Sequence, residues 1–295
     1  MARVKSCFGL MKKMRVVSLV LAVCSLALAL SSCGGDTLTV NSKNFESLEA
    51  KEVDVQWLKN CLVAGDVENA YNGPVFLLNE RDGVIYLEEW EEEFSHVCNM
   101  NYGYLVGIDR GEFGSWVSWC TDALNEDKTS IVSTVERLFD ENCVGFLNPK
   151  IKEEDEEGIY WLDNNNVAYI FTYCVNPDVS EILYKGKIYK LEITEDGGYK
   201  YELFAEFDTA PEAMMIDATV EGENIIVVTE KALLSVDQNG KVTELYSADY
   251  WEYLRPNSIV KLENSYYIGA SSGILKYNID TDNAVWYPYY DIEEE

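Results

Sequence analysis

A single histidine, His96, stands in the 295 residues, and no Cys-x-x-C pair occurs anywhere. The first scarcity makes histidine-rich metal chemistry arithmetically impossible. It also leaves any Ser-His-Asp or Cys-His nucleophilic system dependent on that one imidazole. Its neighbours Ser95, Val97 and Cys98 resemble no nucleophile elbow, so His96 is expected at a loop or strand end. The second absence excludes a zinc ribbon or a thioredoxin-type site. No P-loop and no G-x-G-x-x-G ahead of a helix is present, so nucleotide binding has no support. Positive charge is scarce as well, with 23 Lys+Arg against 52 Asp+Glu and a net charge of −29.

What positive charge there is gathers at the start. Arg3, Lys5, Lys12, Lys13 and Arg15 precede an apolar run from Val16 to Leu30, and no acidic residue occurs before Asp36. A run of that length matches the apolar region of a signal peptide and falls short of the ~20 residues a spanning helix needs. It ends in Leu30-Ser31-Ser32-Cys33, which resembles the bacterial lipobox. The resemblance implies that Cys33 is lipidated and becomes the mature N-terminus. Each buried acyl CH₂ then contributes roughly 0.8 kcal/mol to membrane retention. Gly34 stands where an inner-membrane retention aspartate would be, so the resemblance favours the outer membrane if the organism is Gram-negative.

Loss of residues 1–32 removes five positive charges and no negative ones, leaving 18 Lys+Arg against 52 Asp+Glu and a net charge of −34. Such a chain is repelled by nucleic acids and by anionic membrane surfaces, whereas a cationic partner or divalent ions remain compatible with it. The acidic runs Glu88-Glu89, Glu91 to Glu93, Glu153 to Glu157 and Glu293 to Glu295 fall where loops or a tail are expected. Beyond Cys33 the cysteines are Cys61, Cys98, Cys120, Cys143 and Cys174. Export permits disulfides, but an odd number at irregular spacings points to small buried residues, with one or two bridges at most.

The domain organisation expected is a signal peptide over 1–32, a polar tether over 33–52, and one β domain over 53–295. A short helix opening that domain is expected near Trp57, Leu58, Cys61 and Leu62, although Val53, Val55 and Trp57 also alternate as in a strand. From Pro74 onward, short β-type runs alternate with turn signals. Val75–Leu78 and Val84–Leu87 flank an Asp82-Gly83 turn, and Tyr104–Ile108 and Ser115–Trp119 flank Asp109-Arg-Gly-Glu-Phe-Gly114. Both are hairpin signals. Ile131 to Phe139 fits either a helix or a strand. Twelve further strands follow in three groups of four: Gly158 to Phe207, Ala213 to Tyr246, and Ser258 to Tyr287.

The last two groups superimpose at a shift of 41 residues: Val227-Val228-Thr229 falls on Ile268-Gly269-Ala270, and Ala232-Leu233-Leu234 on Gly273-Ile274-Leu275. Gly186-Lys187-Ile188-Tyr189 enters the same frame about 46 residues earlier. Four-stranded units at this period are the signature of propeller blades, whose faces are buried by radial stacking. The fold expected is therefore all-β, a β-propeller of about five four-stranded blades, or six. A β-sandwich or two smaller β domains are the alternatives.

Gly273-Ile-Leu-Lys-Tyr-Asn-Ile-Asp-Thr-Asp-Asn resembles the repeat of sensor-type and quinoprotein-type propellers. The wider set of Val106-Gly-Ile-Asp-Arg-Gly-Glu-Phe-Gly114, Thr209-Ala-Pro-Glu-Ala213 and Leu254-Arg-Pro-Asn-Ser-Ile259 is similar to a family of uncharacterised bacterial propeller-like proteins, over roughly residues 75–290. That resemblance implies the fold and carries no activity. Ser115 stands where a further glycine is usual.

Candidate binding residues are Asp109, Glu112, Phe113 and Asp217. Glu112 and Phe113 sit between Gly111 and Gly114 on one tight turn, with Tyr102, Tyr104, Trp116 and Trp119 in nearby sequence. Propellers can hold Ca²⁺ with oxygen ligands from several blades; Asp109, Glu112 and Asp217 would serve here, though no D-x-D-x-D-G loop occurs. No metal site and no catalytic residue is assigned. The function expected is a lipid-anchored, non-catalytic binding protein of the bacterial cell envelope, holding a protein or small ligand on its loops. An immunity or inhibitor role against a cationic toxin is one version. The alternative is a carboxylate- or calcium-dependent hydrolase of lactones or sugars, with paired carboxylates as acid and base.

Overall fold

A computed structural model of the chain describes residues 37–41, 47–53, 55–56, 58, 76–89, 95–109, 115–124, 131–155, 158–176, 183–219 and 222–289. Cys33, Glu112 and Phe113, with the whole signal segment, lie outside the described residues. The chain is all-β, and its strands form five four-stranded sheets and one two-stranded ribbon among the described residues.

The first sheet holds β1 (Thr37–Asn41), β2 (Ser47–Glu49), β3 (Phe76–Arg81) and β4 (Val84–Glu89). The second holds β5 (Ser95–Met100), β6 (Gly103–Ile108), β7 (Trp116–Leu124) and β8 (Ile131–Phe139). The third begins with β9 (Asn142–Leu147), is interrupted by the separate ribbon of β10 (Lys150–Asp155) and β11 (Gly158–Asp163), and resumes with β12 (Val167–Asn176), β13 (Leu183–Ile193) and β14 (Tyr199–Phe207). The fourth is β15 (Pro211–Thr219), β16 (Gly222–Thr229), β17 (Leu233–Val236) and β18 (Val242–Tyr246). The fifth is β19 (Pro256–Leu262), β20 (Ser265–Ala270), β21 (Gly273–Asn278) and β22 (Asn283–Pro288).

The second, fourth and fifth sheets are plain antiparallel meanders. The β3–β4 hairpin of the first sheet follows local chemistry: Asp82 and Gly83 both take positive φ, 54° and 77°, as a two-residue turn between twisted strands requires. In the first sheet the order is β2-β1-β4-β3, and β1 runs parallel to β4. The segment expected as a polar tether is therefore partly strand. Its polar residues Thr37, Thr39 and Asn41 face solvent while Leu38 and Val40 are buried, the period-2 alternation of a half-buried strand. Lys51 then donates its amide to the Trp286 carbonyl at 2.9 Å, joining this segment to the outer strand of the fifth sheet. Val55, Gln56 and Leu58 are helical, and Leu58 is buried against the fourth and fifth sheets.

Four apolar cores lie between the sheets. Leu105, Val117 and Trp119 of the second meet Ala168, Ile170 and Leu191 of the third. Phe171 and Ile188 of the third meet Ile225, Val227 and Leu234 of the fourth. Ile226 and Val228 of the fourth meet Ile259, Ile268 and Trp286 of the fifth. Tyr267, Ile274 and Tyr287 of the fifth meet Leu38, Phe76, Leu78 and Ile85 of the first. The first sheet in sequence thus packs on the last. One edge strand from each sheet is gathered along this stack, in the order β5, β9, β15, β19, β3. β20 is buried along its whole length, which is why it carries no charged residue. Where β6 crosses close to β9, a Cβ on Gly107 would fall 2.1 Å from the Cys143 Sγ, so only glycine fits.

Two further expectations change. Gly158–Asp163 belongs to the ribbon, and the third sheet takes Asn142–Leu147 as its first strand instead. Ile131–Phe139 is strand, its register against β7 settling the choice between helix and strand. Among the described residues, Cys98, Cys120, Cys143 and Cys174 form no disulfide.

Candidate functional site

At one end of the second, third and fourth sheets, strand termini bring together acidic side chains that are distant in sequence. Asp109 follows β6, and Tyr173, near the end of β12, donates its hydroxyl to Asp109 Oδ2 at 3.3 Å. Burial and the Asp109 charge push the Tyr173 phenol above its ordinary range. Glu141 precedes β9 and accepts from three partners: Lys187 Nζ at 2.5 Å, Thr172 Oγ1 at 2.6 Å and Tyr189 OH at 3.2 Å. Antiparallel register explains this convergence, since Thr172 pairs with Cys143 at the start of β9 and with Lys187 on β13. Burial opposes the Lys187 charge, yet the hydrogen bond and charge of Glu141 outweigh it and hold the ammonium above its usual range. Glu141 and Lys187 are thus a satisfied ion pair.

Glu212 is different. It is the second residue of β15, directly after Pro211, and Pro211 pairs with Thr229 at the end of β16, one residue before Glu230. Burial raises the Glu212 carboxyl to about 7, and the charges that act on it are two more carboxylates, Glu230 and Asp109. Among the described residues, the charges that raise Glu212 are carboxylates alone. A carboxyl raised by burial and by like charge is half protonated near neutrality. It can release a proton to a base or lose it to an incoming cation.

Asp217 lies elsewhere. It is five residues beyond Glu212 on β15, about 17 Å along an extended strand. Lys261 Nζ reaches its two oxygens at 2.6 and 2.8 Å, and Tyr266 OH donates to Oδ2 at 2.5 Å. Burial and then Asp217 itself push the Tyr266 phenol up. Both oxygens of Asp217 are therefore engaged in contacts that tie the fourth sheet to the fifth. Asp109 acts on Glu212 at the start of β15, whereas Asp217 lies five residues further along that strand. Among the described residues, no three His, Cys, Asp or Glu side chains are grouped to hold a metal ion. His96 lies in β5 opposite Gly107.

Sequence reasoning found Asp109 and missed Glu141, Glu212, Glu230 and Lys187. Glu212 stood inside Thr209-Ala-Pro-Glu-Ala213, where a carboxylate beside an apolar strand start was the available signal. No protein-family model matches this chain, and no curated protein matches it either.

Proposed function

We propose that the five sheets close into a five-bladed β-propeller that acts as a lipid-anchored, non-catalytic binding protein of the bacterial cell envelope. The ligand-facing end is the one bearing Asp109, Glu212 and Glu230. The observation that carries this reading is Glu212, half-buried and raised by burial and by two further carboxylates, Glu230 and Asp109. A basic group of a ligand or partner protein pairs with these carboxylates. The net charge of −34 after removal of residues 1–32 steers such a partner and repels nucleic acid. Anchoring rests on the lipobox-like Leu30 to Cys33, and Gly34 directly after it favours the outer membrane if the organism is Gram-negative. With β1 starting at Thr37, four residues beyond Cys33, the first sheet is held within roughly 14 Å of the acyl chains by chain reach alone.

Cross-linking in the native envelope tests the binding reading. The wild type is expected to capture a basic partner that a triple variant, Asp109→Asn with Glu212→Gln and Glu230→Gln, no longer holds. Capture of the same partner by both overturns it. For the anchor, Cys33→Ser is expected to move the protein from the membrane fraction to the soluble one.

A hydrolase is the second reading, favoured by the same carboxyl at about 7, a value suited to general acid–base work. It predicts turnover of lactones or glycosides by the full chain that Glu212→Gln abolishes. Absence of turnover across such a panel sinks it.

A further inference from the structure

Among the described residues, the outer strand of the third sheet, β14, pairs with no strand beyond β13. β14 is nine residues long, and Lys200, Tyr201, Glu202 and Leu203 are all exposed. Tyr201 is 45% exposed and Leu203 52%, although both belong to the apolar face that continues inward through Leu191 and Tyr189. A long, exposed edge with apolar side chains is a template for a further strand. The far half of β14 is not free in the same way: its register shifts next to Phe204, and the turn at Gly240 lies against the Phe204 carbonyl. The usable window is Tyr199 to Leu203.

That window is self-complementary. Antiparallel pairing of two copies about Tyr201 sets Lys200 opposite the second copy's Glu202, and Glu202 opposite its Lys200. Within one copy, Glu192 pairs with Lys200 in register and in an ion pair of 2.6 Å, and Lys190 pairs with Glu202. Each row across the joined sheets then reads Glu192, Lys200, Glu202, Lys190, with sign alternating at every step. On the other face the rows are Ile193, Tyr199, Leu203, Tyr189 and Leu191, Tyr201, Tyr201, Leu191, apolar throughout. Centring the pair on Lys200 or Glu202 would put like charges face to face. In a chain of net charge −29, this strip carries two lysines and two glutamates, so it is locally neutral where the remaining surface repels.

We infer that β14 is a docking edge for a second copy of this chain, forming a two-fold dimer with one continuous eight-stranded sheet centred on Tyr201. Such an interface is isologous and closes on itself, so it yields dimers and no fibres.

The test uses the full chain in density-matched detergent, followed by sedimentation equilibrium. The wild type is expected to be dimeric. Lys200→Glu and Glu202→Lys each place two like-charge pairs across the edge and are expected to weaken the dimer on the order of tenfold. An equal mixture of the two variants restores opposite charges in both rows and is expected to regain the dimer. Circular dichroism confirms that each exposed substitution leaves the fold intact. A monomeric wild type overturns the inference. So do single variants that associate as tightly as the wild type, or a mixture that associates no better than its components.

Discussion

Lys261 donates two hydrogen bonds to Asp217, at 2.6 and 2.8 Å, and these two side chains come from edge strands of adjacent sheets. The carboxylate is 10% exposed and the lysine 26%. Removal of one partner leaves the other charge largely desolvated, which costs several kcal/mol in a fully buried pair. Partial exposure of the lysine reduces that cost. Asp217→Ala is expected to lower stability by about 2–3 kcal/mol in urea unfolding. Joint replacement by Asp217→Leu and Lys261→Met is expected to cost less than the single change. A loss below about 0.5 kcal/mol for Asp217→Ala, the scale of an exposed pair, contradicts the role assigned to this bridge.

Glu212 makes stability depend on pH in an unusual direction. Its folded value, about 7, lies above the ordinary glutamate value, so between those limits the folded state binds more protons than the unfolded one. Stability contributed by this group is full below pH ~4.3 and declines as pH rises to about 7. Glu212→Gln removes the decline. The variant is expected to gain about 1–3 kcal/mol over the wild type at pH 8 and to show no gain at pH 4, by urea midpoints at the two values. An equal difference at both pH values contradicts the assignment.

Gly107 and Cys143 form a steric pair between the second and third sheets. A methyl group on Gly107 meets the Cys143 Sγ at 2.1 Å and its Cβ at 2.7 Å, in a core where Cys143 is fully buried. Gly107→Ala is expected to cost about 1–3 kcal/mol through overpacking. Addition of Cys143→Ala removes the sulfur and is expected to recover part of that loss, a coupling that a double-mutant cycle reads directly. Additive effects would show that the two sheets do not meet there.

The fourth and fifth sheets were legible because each strand is a short apolar run and each break carries its own turn chemistry. Asp237-Gln-Asn-Gly240 is one such break, with Gly240 at φ 77°. Their 41-residue repeat corresponds to equivalent strands, β16 with β20 and β17 with β21. β9 was missed because Asn142-Cys-Val-Gly-Phe-Leu147 has a single β-branched residue and an internal glycine, and its burial comes from sheets on both sides. β1 was missed because Thr and Asn fill its outward positions, leaving Leu38 and Val40 as the only apolar pair. The acidic end was legible only as Asp109. Glu212 and Glu230 are brought beside Asp109, and Glu141 beside Lys187, by strand register and sheet stacking, which local spacing does not encode. Asp217 carried the same signal as Asp109 in sequence and differs by having Lys261 and Tyr266 beside it.

The packing of the first sheet on the last has a consequence for how the chain acquires its fold. Leu38, Phe76 and Leu78 are covered by Tyr267, Ile274 and Tyr287, and the Leu78 amide donates to the Ser258 hydroxyl across 180 residues of sequence. The second to fifth sheets stack in the order of synthesis, each on its predecessor. The first must hold an uncovered apolar face until the fifth has been made. Contacts of such long sequence separation are slow to form. A chain whose final strands have not yet docked on the first sheet is therefore the species most in need of a holdase.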